Sequence, residues 1–351
     1  MIELRNVNKT YYVSNTAVNA LVDIDITVNP GQIFGVIGKS GAGKSTLIRC
    51  VNLLERPTSG AVVVNGQDLT QLAHKQLRLA RHSIGMVFQH FNLLNIRTAY
   101  QNVALPLELL GMTKQEINNR VLPLLKLTGL DHKTHAYPSR LSGGEKQRVA
   151  IARALATHPK VLLCDEMTSS LDPETTAAIL QLIKDINRQL NLSILLITHE
   201  MDVIKALADR VAVLDHGRII EQDDVATIFK RPKTAVAKRL TQSTLKVALP
   251  PALQEKLQQN SIADGYTLLR INFLGKTAAE PIVSHLIKEY NVHINILQAN
   301  LEFVRDEMVG VMLVAAHADH EKIQQGIHFL REKGLQVEVL GYVPANDWLY
   351  H

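Results

Sequence analysis

The chain has 351 residues, enough for about two domains of ~150 residues each. An apolar fraction of 46% excludes a disordered or fibrous chain, and two cysteines exclude a disulfide scaffold. The net charge of +5 is unevenly placed: residues 247–351 hold 8 basic and 12 acidic residues, and the first 246 hold 30 and 21. A basic first part at +9 and an acidic second part at −4 suggest an anionic partner for the first: nucleotide, nucleic acid or membrane surface.

Taken along the chain, Ile2–Val7, Leu21–Val28 and Ala61–Val64 alternate and predict an antiparallel β layer. Gln32–Ile37, Ile84–Phe88, Val161–Cys164, Ser193–Thr198 and Arg210–Leu214 are unbroken apolar runs, the pattern of strands buried on both faces. Helical stretches follow several of them, at Lys44–Leu54, Glu174–Leu190 and Met201–Ala208, so the fold class is α/β with a mainly parallel core sheet. Between Phe91 and Leu141 the reading is helical, an insertion into that core. Residues 1–230 thus form one domain, and a polar stretch at 231–250, with Pro232 and Pro250-Pro251, reads as a linker. Beyond it, a short helix at Ala252–Leu257 precedes a β-α-β-β-α-β order from Tyr266 to Leu340, that of a ferredoxin-like α+β domain over 251–343, with a surface tail at 344–351. Cys50 and Cys164 read as reduced core residues. The longest apolar run, Val309–Ala316, has eight residues against the ~18 of a membrane helix, and Glu3 and Arg5 leave no signal peptide, so a cytosolic chain is expected.

Chemistry concentrates at Gly38, Lys39, Ser40, Gly41, Ala42, Gly43, Lys44 and Ser45, with Thr46 next. This is G-x-x-x-x-G-K-[ST] between a strand and a helix. Backbone N–H groups of such a loop turn inward around phosphate oxygens, and the helix start adds a positive dipole end. Lys44 would reach the β- and γ-phosphates of ATP, and the Ser45 hydroxyl would ligate Mg²⁺. Asp165 and Glu166 end a buried strand. Asp165 would hold Mg²⁺ through water, and Glu166 could polarise the water that attacks the γ-phosphate. Ser142, Gly143 and Gly144 open another helix, either as a plain N-cap or as a second anion site. A chain with one complete phosphate loop has little use for a second site on its own nucleotide, which suggests a nucleotide held by a partner copy.

The phosphate loop, Gln89, Leu141-Ser-Gly-Gly144, Asp165-Glu166, Ser169-Ser-Leu-Asp172 and His199 occur in that order. With them the chain resembles the ATP-binding-cassette ATPases of membrane transporters over about residues 1–230. That resemblance implies a head-to-tail homodimer with two ATP molecules at its interface. It also implies roles: Tyr11 stacks on adenine, Gln89 senses Mg²⁺ and the permease, Glu166 is the general base, His199 meets the γ-phosphate, and Asp172 crosses the dimer interface. Glu145 stands where Gln is frequent, and Met167 and Ser170 where Ala is frequent; none removes a catalytic group. A soluble cassette protein acting on nucleic acid is disfavoured, because only about 97 residues separate Lys44 from Leu141, without coiled-coil heptads, and one cassette is present.

Longer strings are similar to the ATPase subunit of bacterial methionine importers: Cys50–Pro57, Val87–Leu94, Asn102–Glu108, Thr241–Thr244 and Val337–Val343. This implies a complex of two such chains, two permease subunits and an external methionine-binding lipoprotein, at the cytoplasmic face of the bacterial inner membrane. It further implies an ACT-like C-terminal domain that binds methionine and inhibits transport. Composition and spacing alone do not name methionine. Asn295, mid-strand with His293 on the face opposite Ile294 and Ile296, is the candidate effector residue, and Gly310 on the next strand is expected to leave space beside it.

Overall fold

The computed structural model describes residues 1–14, 16–245, 247, 249–262, 264–274, 281–304 and 307–345. Residues 346–351 of the expected tail, Trp348 among them, lie outside these. The chain divides into two compact units, Met1–Val225 and a second from Ala226 onward. The break therefore falls ahead of the stretch expected as a linker, which folds with the second unit.

In the first unit, β1 (Ile2–Val13), β2 (Thr16–Val28), β4 (Ser59–Val64) and β5 (Gln67–Asp68) form an antiparallel sheet in the order β2-β1-β4-β5. The second sheet has the order β10-β9-β3-β8-β7-β6, from β3 (Ile33–Ile37), β6 (Ile84–Val87), β7 (Val161–Asp165), β8 (Ser193–Thr198), β9 (Arg210–Asp215) and β10 (Arg218–Asp224). Its pairs are parallel except β9–β10. Helix α1 (Lys44–Val51) lies between the sheets: Leu47, Ile48 and Val51 share one buried cluster with Ile2, Ile24 and Val62 on one side and Phe34, Leu163 and Leu195 on the other. Burying such side chains contributes roughly 1.5–3 kcal/mol each, so the packing that holds the two sheets together also fixes the helix that follows the phosphate loop.

The α/β and antiparallel readings are both borne out, and so is the helical insertion. Helix α2 (His74–Ala80) precedes β6, and the insertion holds α3 (Ala99–Leu109) and α4 (Lys114–Leu127), followed by α5 (Gly143–Leu155). Each of these last three opens on a hydroxyl residue answered three positions later: Thr98 with Gln101, Thr113 with Glu116, Ser142 with Glu145. Helices α6 (Pro173–Leu190) and α7 (Met201–Leu207) complete the unit. Cys50 and Cys164 are free and buried, and burial pushes their thiols up to about 11 and about 12. No helix among the described residues is long and apolar enough to cross a membrane.

The second unit begins on α8 (Val225–Lys230), α9 (Ala235–Leu245) and α10 (Pro251–Gln254). Then come β11 (Gly265–Leu274), α11 (Ile282–Tyr290), β12 (His293–Val304), β13 (Glu307–His317), α12 (His320–Glu332) and β14 (Gln336–Pro344). The antiparallel order β12-β13-β11-β14 is the ferredoxin-like arrangement that the element order predicts. One sheet face buries Leu269, Ile271 and Val314 against Leu286 of α11 and Ile327 of α12. The opposite face buries Leu268, Leu313 and Ala315 under Leu249 and Leu253.

Candidate active site

The phosphate loop connects β3 to α1 at the end of the parallel sheet, where ligands of such sheets bind. Gly43 caps α1 with φ +106, and a Cβ there would stand 2.5 Å from the Ala20 carbonyl oxygen, so only glycine fits this position. Lys44 is buried, 5% exposed. Its ammonium donates to the Gly38 carbonyl at 2.9 Å and the Lys39 carbonyl at 3.1 Å, which folds the loop around its side chain. The same Nζ lies 3.5 Å from Glu166 Oε1.

Glu166 is the meeting point of three loops. Its Oε2 is 3.3 Å from His199 Nδ1, just after β8, and accepts from Gln89 Nε2 at 3.5 Å, just after β6. Gln89 also donates to the Ser169 hydroxyl at 3.4 Å, and that hydroxyl donates to the Glu166 carbonyl at 3.0 Å. Because the Gln89 amide nitrogen is turned to these partners, its carbonyl oxygen is the atom left to meet a ligand. Glu166 itself has φ +41, left-handed backbone that costs a non-glycine residue about 1–3 kcal/mol. Its N–H is anchored on the Ile197 carbonyl of β8 at 3.0 Å. The strain aims the carboxylate off the end of β7 into the space beside Lys44.

Asp165, the last residue of β7, is buried, and its Oδ1 finds no protein partner. Burial, with the neighbouring Glu166 charge, pushes its carboxyl above the usual range, against the pull of Arg49 and Lys44. A buried carboxylate oxygen with nothing to meet suits a cation or its water shell. With the Ser45 hydroxyl and the Gln89 carbonyl it makes a hard oxygen donor set, which fits Mg²⁺.

Ser40, Gly41, Gly43, Lys44, Ser45, Thr46, Gln89 and Glu166 line one cavity of about 570 Å³. Val18, Asn19 and Ala20 of β2 and His216-Gly217 of the β9–β10 turn complete the wall. The sequence reading missed these last five, which come from distant elements and carry no motif. Gly38, Lys39, Ala42, Asp165 and His199 are not among the residues that line it. Tyr11 lies on β1 opposite Val18, a lining residue, but does not line the cavity; the Lys9 ammonium sits 4.7 Å from its ring centroid.

Ser142, Gly143, Gly144 and Asp172 lie off this cavity, at the starts of α5 and α6. Ser142 is the N-cap: its hydroxyl accepts from Glu145 N–H at 3.2 Å, and the Glu145 carboxylate accepts from Ser142 N–H at 2.8 Å. That hydrogen bond from the Ser142 N–H, with Lys133 at 3.3 Å, holds the Glu145 carboxyl below its usual range. The acid at position 145 thus serves the cap. Asp172 caps α6 on Thr175 N–H at 2.9 Å, and the Thr175 hydroxyl and N–H hold its carboxyl below the usual range.

In the second unit, Asn295 lines a separate cavity of about 370 Å³ with Tyr266, Ile287, His293, Ile294 and His317. His293 pairs across the strands with His317, and the His317 ring lies 5.0 Å from that of Tyr266. The expectation for Gly310 is overturned. It pairs with Leu301 while Asn295 pairs with Ala315, and a Cβ on Gly310 would meet Leu301 Cδ2 at 2.3 Å. Its missing side chain lets β12 approach and opens nothing beside Asn295. The face assignment holds: Ile294 and Ile296 pair with Ala316 and Val314 of the helix-covered face, and Asn295 pairs with Ala315 of the opposite one, although Ile296 on the edge strand β12 is 49% exposed.

Two family models match the chain: "ABC transporter" over residues 21–169 and "NIL domain" over 267–339, the latter running from within β11 to within β14. The methionine import ATP-binding protein MetN of Coxiella burnetii is 64% identical over 350 residues, with 100% of both chains covered. The chain belongs to the MetN family of ABC transporter ATPases. Another MetN, from Vibrio cholerae, is 51% identical over 98% of this chain and 100% of its own. The cassette of this MetN-family chain is similar to a dimeric post-hydrolysis structure of the ATP-binding cassette MJ0796 bound to ADP and Pi. That match has a TM-score of 0.60 and 35% identity, covering 64% of this chain and 99% of that one. A structure of cbiO1 from Clostridium perfringens, part of the ABC transporter complex cbiONQ, aligns with a TM-score of 0.61 and 31% identity over 72% of this chain and 98% of that one.

Proposed function

We propose that the chain is the energy-coupling subunit of a bacterial methionine importer, hydrolysing ATP at the cytoplasmic face of the inner membrane. Two copies would work with two permease subunits and an external methionine-binding lipoprotein. The observation that carries this is full-length identity of 64% to a methionine import protein, through the acidic second unit as well as the cassette.

Within the cassette, the loop N–H groups and Lys44 take the β- and γ-phosphates. Ser45 and the Gln89 carbonyl would hold Mg²⁺ directly, and Asp165 through water. Bound there, Mg²⁺ would supply positive charge against the negative charge that develops on transfer. Glu166 accepts the proton of the attacking water as its oxygen bonds to the γ-phosphorus and the bond to the β-phosphate oxygen breaks. His199, 3.3 Å from Glu166, orients that carboxylate and meets the γ-phosphate. Tyr11 stacks on adenine. Ser142, Gly143, Gly144 and Asp172 lie off their own chain's cavity, which supports their serving the partner copy's ATP in a head-to-tail dimer.

The second unit is the regulator. Asn295 offers an amide to the carboxylate or ammonium of methionine, and Ile287 and Ile294 in the same cavity offer an apolar wall to its side chain. Inhibition requires methionine to bind the resting arrangement better than the hydrolysing one. The cargo is tested by competition: uptake of labelled methionine by cells carrying this chain should fall with unlabelled methionine and not with other amino acids. Equal competition by an unrelated amino acid would refute the cargo assignment.

A further inference from the structure

We propose that the second unit carries an additional small-molecule site, an amphipathic slot for an aliphatic carboxylate, on the sheet face turned away from α11 and α12. Strand register builds it. Arg270 and Asn272 of β11 pair with Glu338 and Gln336 of β14 on one side and with Leu313 and Val311 of β13 on the other. Cross-strand partners share a face, so a polar strip runs beside an apolar strip that continues through Val309. At one end the chain covers this face itself, with Leu249 and Leu253 over Leu313 and Ala315. At the other end the two strips border a cavity of about 560 Å³, walled opposite by Phe229, Arg231, Lys238 and Thr241. That volume falls in the range of small-molecule sites.

Charge selects the ligand. Arg231, Lys238 and Arg270 line the cavity, and among the described residues Glu338 is an acid beside them, 3.2 Å from Arg270. Lys230 and Lys233 also line it and are engaged by other groups. A guanidinium has five N–H donors, so Arg270 can hold a second carboxylate beside Glu338. The surplus of cations disfavours a ligand with an ammonium group, and thus a zwitterionic amino acid. Val309 and Val311 favour a ligand with a hydrocarbon body, which inorganic phosphate lacks. The cavity shares no lining residue with the one around Asn295, so the two sites select different chemistry and the proposal does not depend on methionine sensing.

The test uses the full-length protein and three probes: hexanoate, hexylamine and inorganic phosphate, followed by calorimetry. Hexanoate should bind saturably, one per chain, and the other two at least tenfold more weakly. Lys238→Glu, on an exposed face of α9 where folding is undisturbed, should weaken hexanoate about tenfold, the scale of one charge-assisted hydrogen bond. Arg270→Gln should do the same, and Asn295→Ala should change nothing. Binding of hexylamine or phosphate as tight as hexanoate, hexanoate binding unaffected by Lys238→Glu, or no saturable hexanoate binding would each overturn the proposal.

Discussion

Replacing Glu166 with Gln isolates proton acceptance from everything else this side chain does. The amide is nearly isosteric, and its oxygen can still accept from Gln89, now 3.5 Å from the carboxylate. The ion pair with Lys44 at 3.5 Å is lost, but Lys44 keeps its bonds to the Gly38 and Lys39 carbonyls, so the loop stays folded. What disappears is a base. General-base catalysis is worth roughly 10²–10⁴ in rate, or about 3–5 kcal/mol of barrier. The variant should therefore bind ATP with Mg²⁺ within a few-fold of the unaltered chain, hydrolyse it 10²–10⁴ times more slowly by that same estimate, and accumulate as an ATP-bound dimer. Phosphate release, nucleotide titration and gel filtration read the three quantities. Turnover within tenfold of the unaltered chain would remove Glu166 as the base. Loss of ATP affinity would mean instead that its pairing with Lys44 holds the loop.

Ser142→Ala should cost α5 about 1 kcal/mol of capping, leave nucleotide affinity of dilute monomer unchanged and cripple hydrolysis; affinity falling with it would refute the shared site. Asp165→Asn should raise the melting temperature of the nucleotide-free chain at neutral pH. Burial lifts the Asp165 carboxyl, so its ionised form opposes folding. That opposition is absent below the ordinary carboxylate range and complete above the raised one, so the gain should vanish in acid, and the variant should lose Mg²⁺-dependent stabilisation by ATP. A melting temperature that falls at neutral pH would contradict this sign. Asn295→Ala should weaken inhibition by methionine loaded inside vesicles without altering ATP affinity; unchanged inhibition would remove the cavity around Asn295 from the regulatory role.

The phosphate loop, Asp165-Glu166 and the buried strands are legible in the sequence because each is a local demand: glycine where φ is +106 at Gly43, unbroken apolar runs where both faces are covered. Strand β10 escaped because Arg218–Asp224 is an edge strand, charged and half exposed, and its pairing with β9 alone makes it a strand. Helix α9 escaped because it lies in a polar stretch, and its buried Ala237 and Thr241, one turn apart, are too small to mark a face. The Gly310 error has the same origin. A glycine announces close approach, but only the register tells that Leu301 fills the space. His216 and Gly217 reach the nucleotide cavity through sheet topology, which no local pattern encodes.

Energy coupling is tested most directly by methionine uptake in cells lacking this chain, complemented with the unaltered chain or with Lys44→Ala. The substitution removes the ammonium that the structure places at 2.9 Å from Gly38 O and 3.5 Å from Glu166, while leaving the second unit untouched. Uptake of labelled methionine should be lost without the chain, restored by the unaltered chain and not restored by Lys44→Ala. Full restoration by Lys44→Ala, or undiminished uptake without the chain, would contradict energy coupling.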